Sequence, residues 1–281
     1  MRVRRSTRRA AILVTLPDQV DYDHGLVNAP GLFSDDGKVH IPTLKRYEEE
    51  FIVASLNELR PSEAYLLVES ELKDVIEEVV RKFEGAHPWP LELRMKSVWL
   101  RPEYGDVFKE LFKLCASGEM DIDYGSTCHI PIHLAIQDIG RLFEDVNLYF
   151  NHSPEPVLFR IPEIEPELSL KNLLREEGRI HREILASLLK AGRGEKFKLP
   201  TKKLRSKILS KYAGQPKAEY IKVGRKITSA LDSLRRVGAV REVEEKQEKG
   251  WGYTTTHCIQ LTRFGKAWAE SLEELLEEKG A

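Results

Sequence analysis

Three groups of residues in this chain have types and spacing suited to chemistry. Gly125, Ser126 and Thr127 follow a strand-like run at 120–124 and precede a helical pattern that starts near Ile130. Such a turn offers backbone N–H groups, two hydroxyls and the positive end of a helix dipole, which suits an anionic ligand. The competing use of the same residues is simple helix capping. A second group is basic: Lys202, Lys203, Arg205 and Lys207, then Lys222, Arg225 and Lys226 with Ser229 and Ser233, then Lys246 and Lys249 beside Trp251. Lysine and arginine neutralise phosphates, and arginine and serine also reach base edges. The third group could ligate metal. Cys128, His129 and His133 are close in sequence, and Asp18, Asp21, Asp23 and His24 share one loop. No second Cys or His pair stands at ligand spacing, and Asp121 and Asp123 are assigned to opposite faces of their strand. No metal and no cofactor are therefore expected. No nucleophile elbow, P-loop or intact Gly-x-Gly-x-x-Gly occurs, so no catalytic residue is assigned and a non-enzymatic role is expected.

Charge supports the nucleic-acid reading. The 281 residues carry a net charge of -1, which hides a partition. Residues 1–170 hold 19 Lys and Arg against 30 Asp and Glu; residues 171–268 hold 24 against 10. An acidic half is joined to a strongly basic one, and the basic half suits a polyanion. The arm at residues 1–9 carries five arginines; such arms can enter the minor groove, but the default expectation is a disordered tail with nonspecific attraction. No apolar run is long enough to span a membrane and no signal-peptide core follows the arm. Three scattered cysteines make no disulfide framework, so a cytoplasmic protein is expected.

The elements that must position these residues follow from periodicity. In the first half, strand-like runs at 11–16, 64–68, 91–100, 120–124 and 146–150 alternate with helical patterns at 43–59, 72–83, 107–114 and 130–143. That alternation predicts an α/β fold with a parallel, Rossmann-like sheet over residues 1–153. Pro154, Pro156, Pro162 and Pro166 mark a linker at 154–170, within which 157–161 can form a last strand. The second half, 171–281, predicts three helices. The first carries Ile180, Ile184, Leu185 and Leu188; the second starts at a Thr201 N-cap and runs through Tyr212; the third follows Pro216 and ends at Gly238. Strands at 239–243 and 254–261 flank a turn containing Gly250 and Gly252, and a last helix opens at Thr262. Its stripe of Phe264, Trp268, Leu272, Leu275 and Leu276 faces its own domain or a partner subunit.

This order of helices and glycine-tipped hairpin resembles the winged helix-turn-helix family, as does the Leu261-Thr262-x-x-Gly265 exit. A Rossmann-like domain with a Gly-Ser-Thr turn after its fourth strand, followed by a winged helix, resembles the CRISPR-associated Rossmann-fold (CARF) regulators and related archaeal transcriptional regulators. The resemblance implies a homodimer that binds double-stranded DNA through the winged helix. It also implies a nucleotide-type ligand, such as a cyclic oligoadenylate, held at two turns. By position those are Thr15, Leu16 and Pro17 after the first strand and Gly125, Ser126 and Thr127 after the fourth. The lysine usual in the second turn is absent here, and Tyr124 replaces a small residue. Two alternatives stay open: a CARF-type ring nuclease or phosphodiesterase, and a DNA- or protein-binding scaffold that senses nothing.

Overall fold

A computed structural model describes residues 9–14, 41–69, 72, 74, 76–78, 81, 94–101, 103–124, 130–152, 157–160, 168–192, 197–249 and 252–278. The chain divides into two compact units, Met1–Glu165 and Pro166–Ala281. The division falls inside the proline-rich stretch.

The first unit is built on one six-stranded sheet. Its strands are β1 (Arg9–Val14), β2 (Glu63–Glu69), β3 (Arg94–Leu100), β4 (Met120–Asp123), β5 (Val146–His152) and β6 (Val157–Arg160). The spatial order is β3-β2-β1-β4-β5-β6. The pairs β1–β2, β1–β4, β2–β3 and β4–β5 are parallel, and β6 runs antiparallel to β5. Residues 10–14 of β1 are all buried, as a central strand covered on both faces requires. Helices among the described residues of this unit include α1 (Ile41–Leu59), α2 (Tyr104–Cys115) and α3 (Ile130–Gly140). On α2 the buried set Tyr104, Val107, Phe108, Leu111, Phe112 and Cys115 keeps the helical period, so one stripe faces the core. Residues 74, 76–78 and 81 are also helical.

This is the Rossmann-like α/β fold that strand–helix alternation predicts. One expectation fails at its edge. Arg9 does not belong to a free basic arm: it opens β1. Its guanidinium pairs with Glu63 at 3.4 Å and donates to Tyr65 Oη at 3.2 Å, Ser117 Oγ at 2.9 Å and the Leu114 carbonyl at 3.2 Å. The remainder of the arm lies outside the described residues.

The second unit is a winged helix. Short α4 (Leu170–Leu174) is capped by Ser169, whose Oγ accepts from the Asn172 N–H. Then come α5 (Arg179–Ala191), β7 (Lys198–Pro200), α6 (Thr201–Ser210), α7 (Lys217–Arg236), β8 (Val240–Lys249), β9 (Gly252–Leu261) and α8 (Arg263–Glu278). The antiparallel sheet has the order β7-β9-β8, so the strand between α5 and α6 joins the hairpin. Left-handed glycines, Gly214 at φ 103° and Gly238 at φ 78°, turn the chain out of the α6 segment and out of α7. Ile184, Leu185, Leu188, Leu204, Ile208, Val223, Ile227, Leu231, Leu234, Trp268 and Leu272 form the core.

Here too the structure corrects details. Thr201 is not the N-cap of α6. Pro200 holds that position, and the Thr201 hydroxyl donates to the His257 carbonyl at 3.1 Å, tying α6 to β9. The helix ends at Ser210 rather than Tyr212, whose ring lies under the Arg179 guanidinium at 5.5 Å. Strand β7 is only three residues long, too short for a periodic signal. Strand β8 extends to Lys249 through a run of charged residues. A projecting two-stranded wing exposes much of both faces, so its polarity does not forbid pairing. Of the α8 stripe, Phe264, Trp268 and Leu272 are buried, while Leu275 and Leu276 are half-buried.

Candidate nucleic-acid interface

Helix α7 has 20 residues and spans about 30 Å. Its buried stripe is Val223, Ile227, Ala230, Leu231 and Leu234. Before Val223 the helix has no buried face. All six residues from Lys217 to Lys222 are exposed, so roughly 9 Å of helix stands clear of the domain. A helix is about 10–12 Å across and the major groove about 12 Å wide. At 100° per residue, Ile221, Arg225, Ser229 and Asp232 fall opposite the buried stripe, and Lys222 and Lys226 flank them. Ser229 is exposed and Ser233 half-buried near the far end.

The distribution of unpaired charge is uneven. Outside α6 and the first half of α7, many basic groups of this unit have carboxylate partners, while Arg182 donates to main-chain carbonyls, Arg236 to Ser233 and Arg241 to Gln260. Arg179 bonds Glu176 and Glu183, Lys211 Glu183, Lys190 Glu273, and Arg235 Asp232 and Glu242. Lys198 bonds Glu245. Lys202, Lys203 and Lys207 on α6 and Arg225 and Lys226 on α7 are exposed and form no ion pair to a described residue. Lys222 has a single exposed partner, Glu219, at 3.8 Å. Contacts of that kind are worth little, so the face keeps its positive potential. Lys246 is exposed on the wing and likewise without an ion pair to a described residue. Lys249 closes β8, paired in register with Gly252. Trp251 lies outside the described residues.

Arg205 does something that its place in a basic run did not announce. It is half-buried, and its Nη2 donates to Thr228 Oγ1 at 2.9 Å, while the Thr228 hydroxyl reaches the Gly224 carbonyl at 3.3 Å. Arg205 thus braces α6 against α7 at the level of the exposed half. No sequence signal distinguishes it from Lys203, because the difference lies in which neighbour the fold supplies.

In the first unit, β1 and β4 are adjacent although they are not consecutive. Strand order reverses between them, and ligands of open α/β sheets bind at such switch points, outside the carboxyl ends of the strands. Thr15, Leu16 and Pro17 follow the end of β1, and Gly125, Ser126 and Thr127 follow β4 after Tyr124. All six lie outside the described residues, as do Cys128, His129, Asp18, Asp21, Asp23 and His24. At the described end of β4, Asp123 is fully buried and accepts from Ser55 Oγ of α1 at 2.6 Å. Asp121 accepts from Asn147 Nδ2 at 2.8 Å. Two residues apart, both carboxylates belong to one face of β4, so their assignment to opposite faces is wrong. His133 packs its ring edge-on to Tyr124, centroids 5.1 Å apart. Among the described residues no three His, Cys, Asp or Glu converge on a metal position, and no helix is long and apolar enough to cross a membrane. No protein-family model and no curated protein matches this sequence.

Proposed function

We propose that the chain is a DNA-binding transcriptional regulator, active as a homodimer, whose winged helix binds duplex DNA. In this reading its Rossmann-like unit senses a nucleotide-type ligand. The observation that carries the reading is the exposed first half of α7, framed by the unpaired lysines of α6. The helix would enter the major groove, Arg225 would approach base edges, and Lys202, Lys203 and Lys207 would hold phosphates. Lys246 and the wing tip would grip the backbone beside the groove. Arg205 would set the angle between the two helices.

The dimer has a supporting feature in the first unit. Ile130 and Leu134 stand one turn apart on α3 and are 69% and 48% exposed, an apolar face that a second copy can cover. The sensing role rests on the reversal of strand order between β1 and β4 and on the resemblance to CARF regulators. The same resemblance names cyclic oligoadenylate as the ligand to try first.

The DNA half is tested by charge reversal. The Arg225→Glu, Lys226→Glu double variant should lose duplex binding in a fluorescence anisotropy titration, with an unchanged circular dichroism spectrum because both residues are exposed. Unchanged affinity would remove α7 from the interface. The sensing half is tested by calorimetric titration of the full chain with cyclic tetra- and hexa-adenylate. One ligand per dimer is expected, and absence of heat together with absence of binding in an orthogonal assay would reject that ligand class.

A further inference from the structure

Two features of α7 are unexplained by the fold itself. The first is Ile221. It is 49% exposed on the outward face, one turn before Arg225; its neighbour Tyr220, 41% exposed, projects about 100° round the helix, toward the side that packs. Burying it inside the domain is impossible, because the stripe that packs begins two residues later and on the other side of the helix. The second is Gly224. Mid-helix glycine costs stability relative to alanine, and the usual compensation is a neighbour that a Cβ would strike. At Gly224 a Cβ would meet nothing within 4 Å. Contrast Gly265, where it would lie 1.8 Å from the Ala239 carbonyl oxygen. Gly224 also lacks a left-handed backbone that would require glycine. Nothing inside the unit therefore explains its lack of a side chain.

Both features are explained by a surface arriving from outside. Ile221 and Gly224 are three residues apart, hence neighbours on one helix ridge, and Ala218 continues that ridge one turn earlier. Small residues on either side of an exposed isoleucine leave it as the highest point of a shallow apolar strip, with the charges of Lys222, Arg225 and Lys226 alongside. In the major groove the one apolar group on a base edge is the C5-methyl of thymine. We infer that Ile221 reads a thymine methyl and that Gly224 is bare so that the helix can come close enough for it to do so. This inference rests on the DNA-binding reading and adds to it a named base. A protein partner for the same strip is disfavoured by the unpaired positive charge around it, which an acidic backbone satisfies and an ordinary apolar docking surface does not.

The experiment uses the full chain and a duplex selected by it from a randomised pool. Each thymine of the selected site is replaced in turn by deoxyuridine, which deletes only the methyl. One position should lower the affinity of the unaltered protein about fourfold, the value of one buried methyl. At that position the same replacement should have no effect on Ile221→Ala. Gly224→Ala should melt at the same temperature as the unaltered protein or higher, yet bind the selected duplex at least fivefold more weakly. No methyl-sensitive position, or sensitivity that persists in Ile221→Ala, overturns the assignment while leaving DNA binding in place. Gly224→Ala with unimpaired binding overturns the close approach. Failure to enrich any duplex, with no salt-dependent binding to the pool, overturns the DNA-binding reading itself.

Discussion

At the scale of single residues, the neighbours that the fold supplies decide what each charge can do. Arg205, Arg225 and Arg235 have the same side chain and three different situations. The first is a brace bonded to Thr228, the second projects outward with no ion pair to a described residue, and the third is neutralised by Asp232 and Glu242. The outward place of Arg225 is legible from helical spacing alone, because it is opposite Val223, Ile227 and Leu231. The bracing role of Arg205 is not, because it depends on how two helices cross. Arg9 was misread for the same reason: a row of arginines at a terminus looks like an arm until Glu63, Tyr65 and Ser117 are seen around the last of them. His181 shows a pH consequence at this scale. Burial pushes its imidazole below the ordinary value of 6.5, and its Nδ1 has no hydrogen-bond partner. As pH falls below 6.5, the unfolded chain takes up a proton that the folded chain refuses until its lower pKa is reached. The folded state therefore loses stability across that window and levels off beneath it. Urea midpoints measured at pH 7.5 and pH 5.5 should fall more in the unaltered protein than in His181→Asn. An equal fall in both would remove His181 from the acid sensitivity.

At the scale of elements, the exit from the wing explains its own sequence pattern. The Thr262 hydroxyl donates to the Gly238 carbonyl at 2.7 Å and accepts from the Gly265 N–H at 3.0 Å, and the Thr262 N–H reaches the Ala239 carbonyl at 3.1 Å. Threonine thus caps α8 and clamps it to the turn that follows α7, and glycine three residues later lets the helix pass against that turn. Gly265→Ala must displace backbone rather than a flexible side chain, so it should destabilise the winged helix by about 1–3 kcal/mol or more. Thermal melting checks this, and an unchanged melting temperature would mean that the turn yields freely. The pattern Leu261-Thr262-x-x-Gly265 was therefore legible as a resemblance, while its mechanism needed the neighbours Gly238 and Ala239. Strand β7 and the length of β8 were not. Three residues carry no period, and a solvent-exposed hairpin lacks the apolar alternation by which strands are recognised. The central strands β1 and β2 were legible because burial on both faces forces them to be continuously apolar.

At the scale of the whole molecule, the charge partition and the two compact units coincide. The acidic residues belong mainly to the α/β unit and the α8 tail, while in the second unit the exposed basic residues without an ion pair to a described residue include those of α6, α7 and the wing. Under the proposed function, the polyanion-seeking surface among the described residues belongs to the second unit. What the sequence left unreadable at this scale is the sensing site, since a three-residue turn has the same composition whether it binds a phosphate or only caps a helix. Binding of duplex DNA by the winged helix through α6, α7 and the wing, as proposed, is measured by titrating the full chain with duplex DNA across salt concentrations. Each phosphate neutralised contributes about -0.9 to the slope of log K against log salt. With Lys202, Lys203, Lys207, Arg225, Lys226 and Lys246 engaged, the slope should be steep, and it should become shallower by about one for Lys203→Ala. Absence of binding at low salt, or binding that ignores salt, would contradict the account.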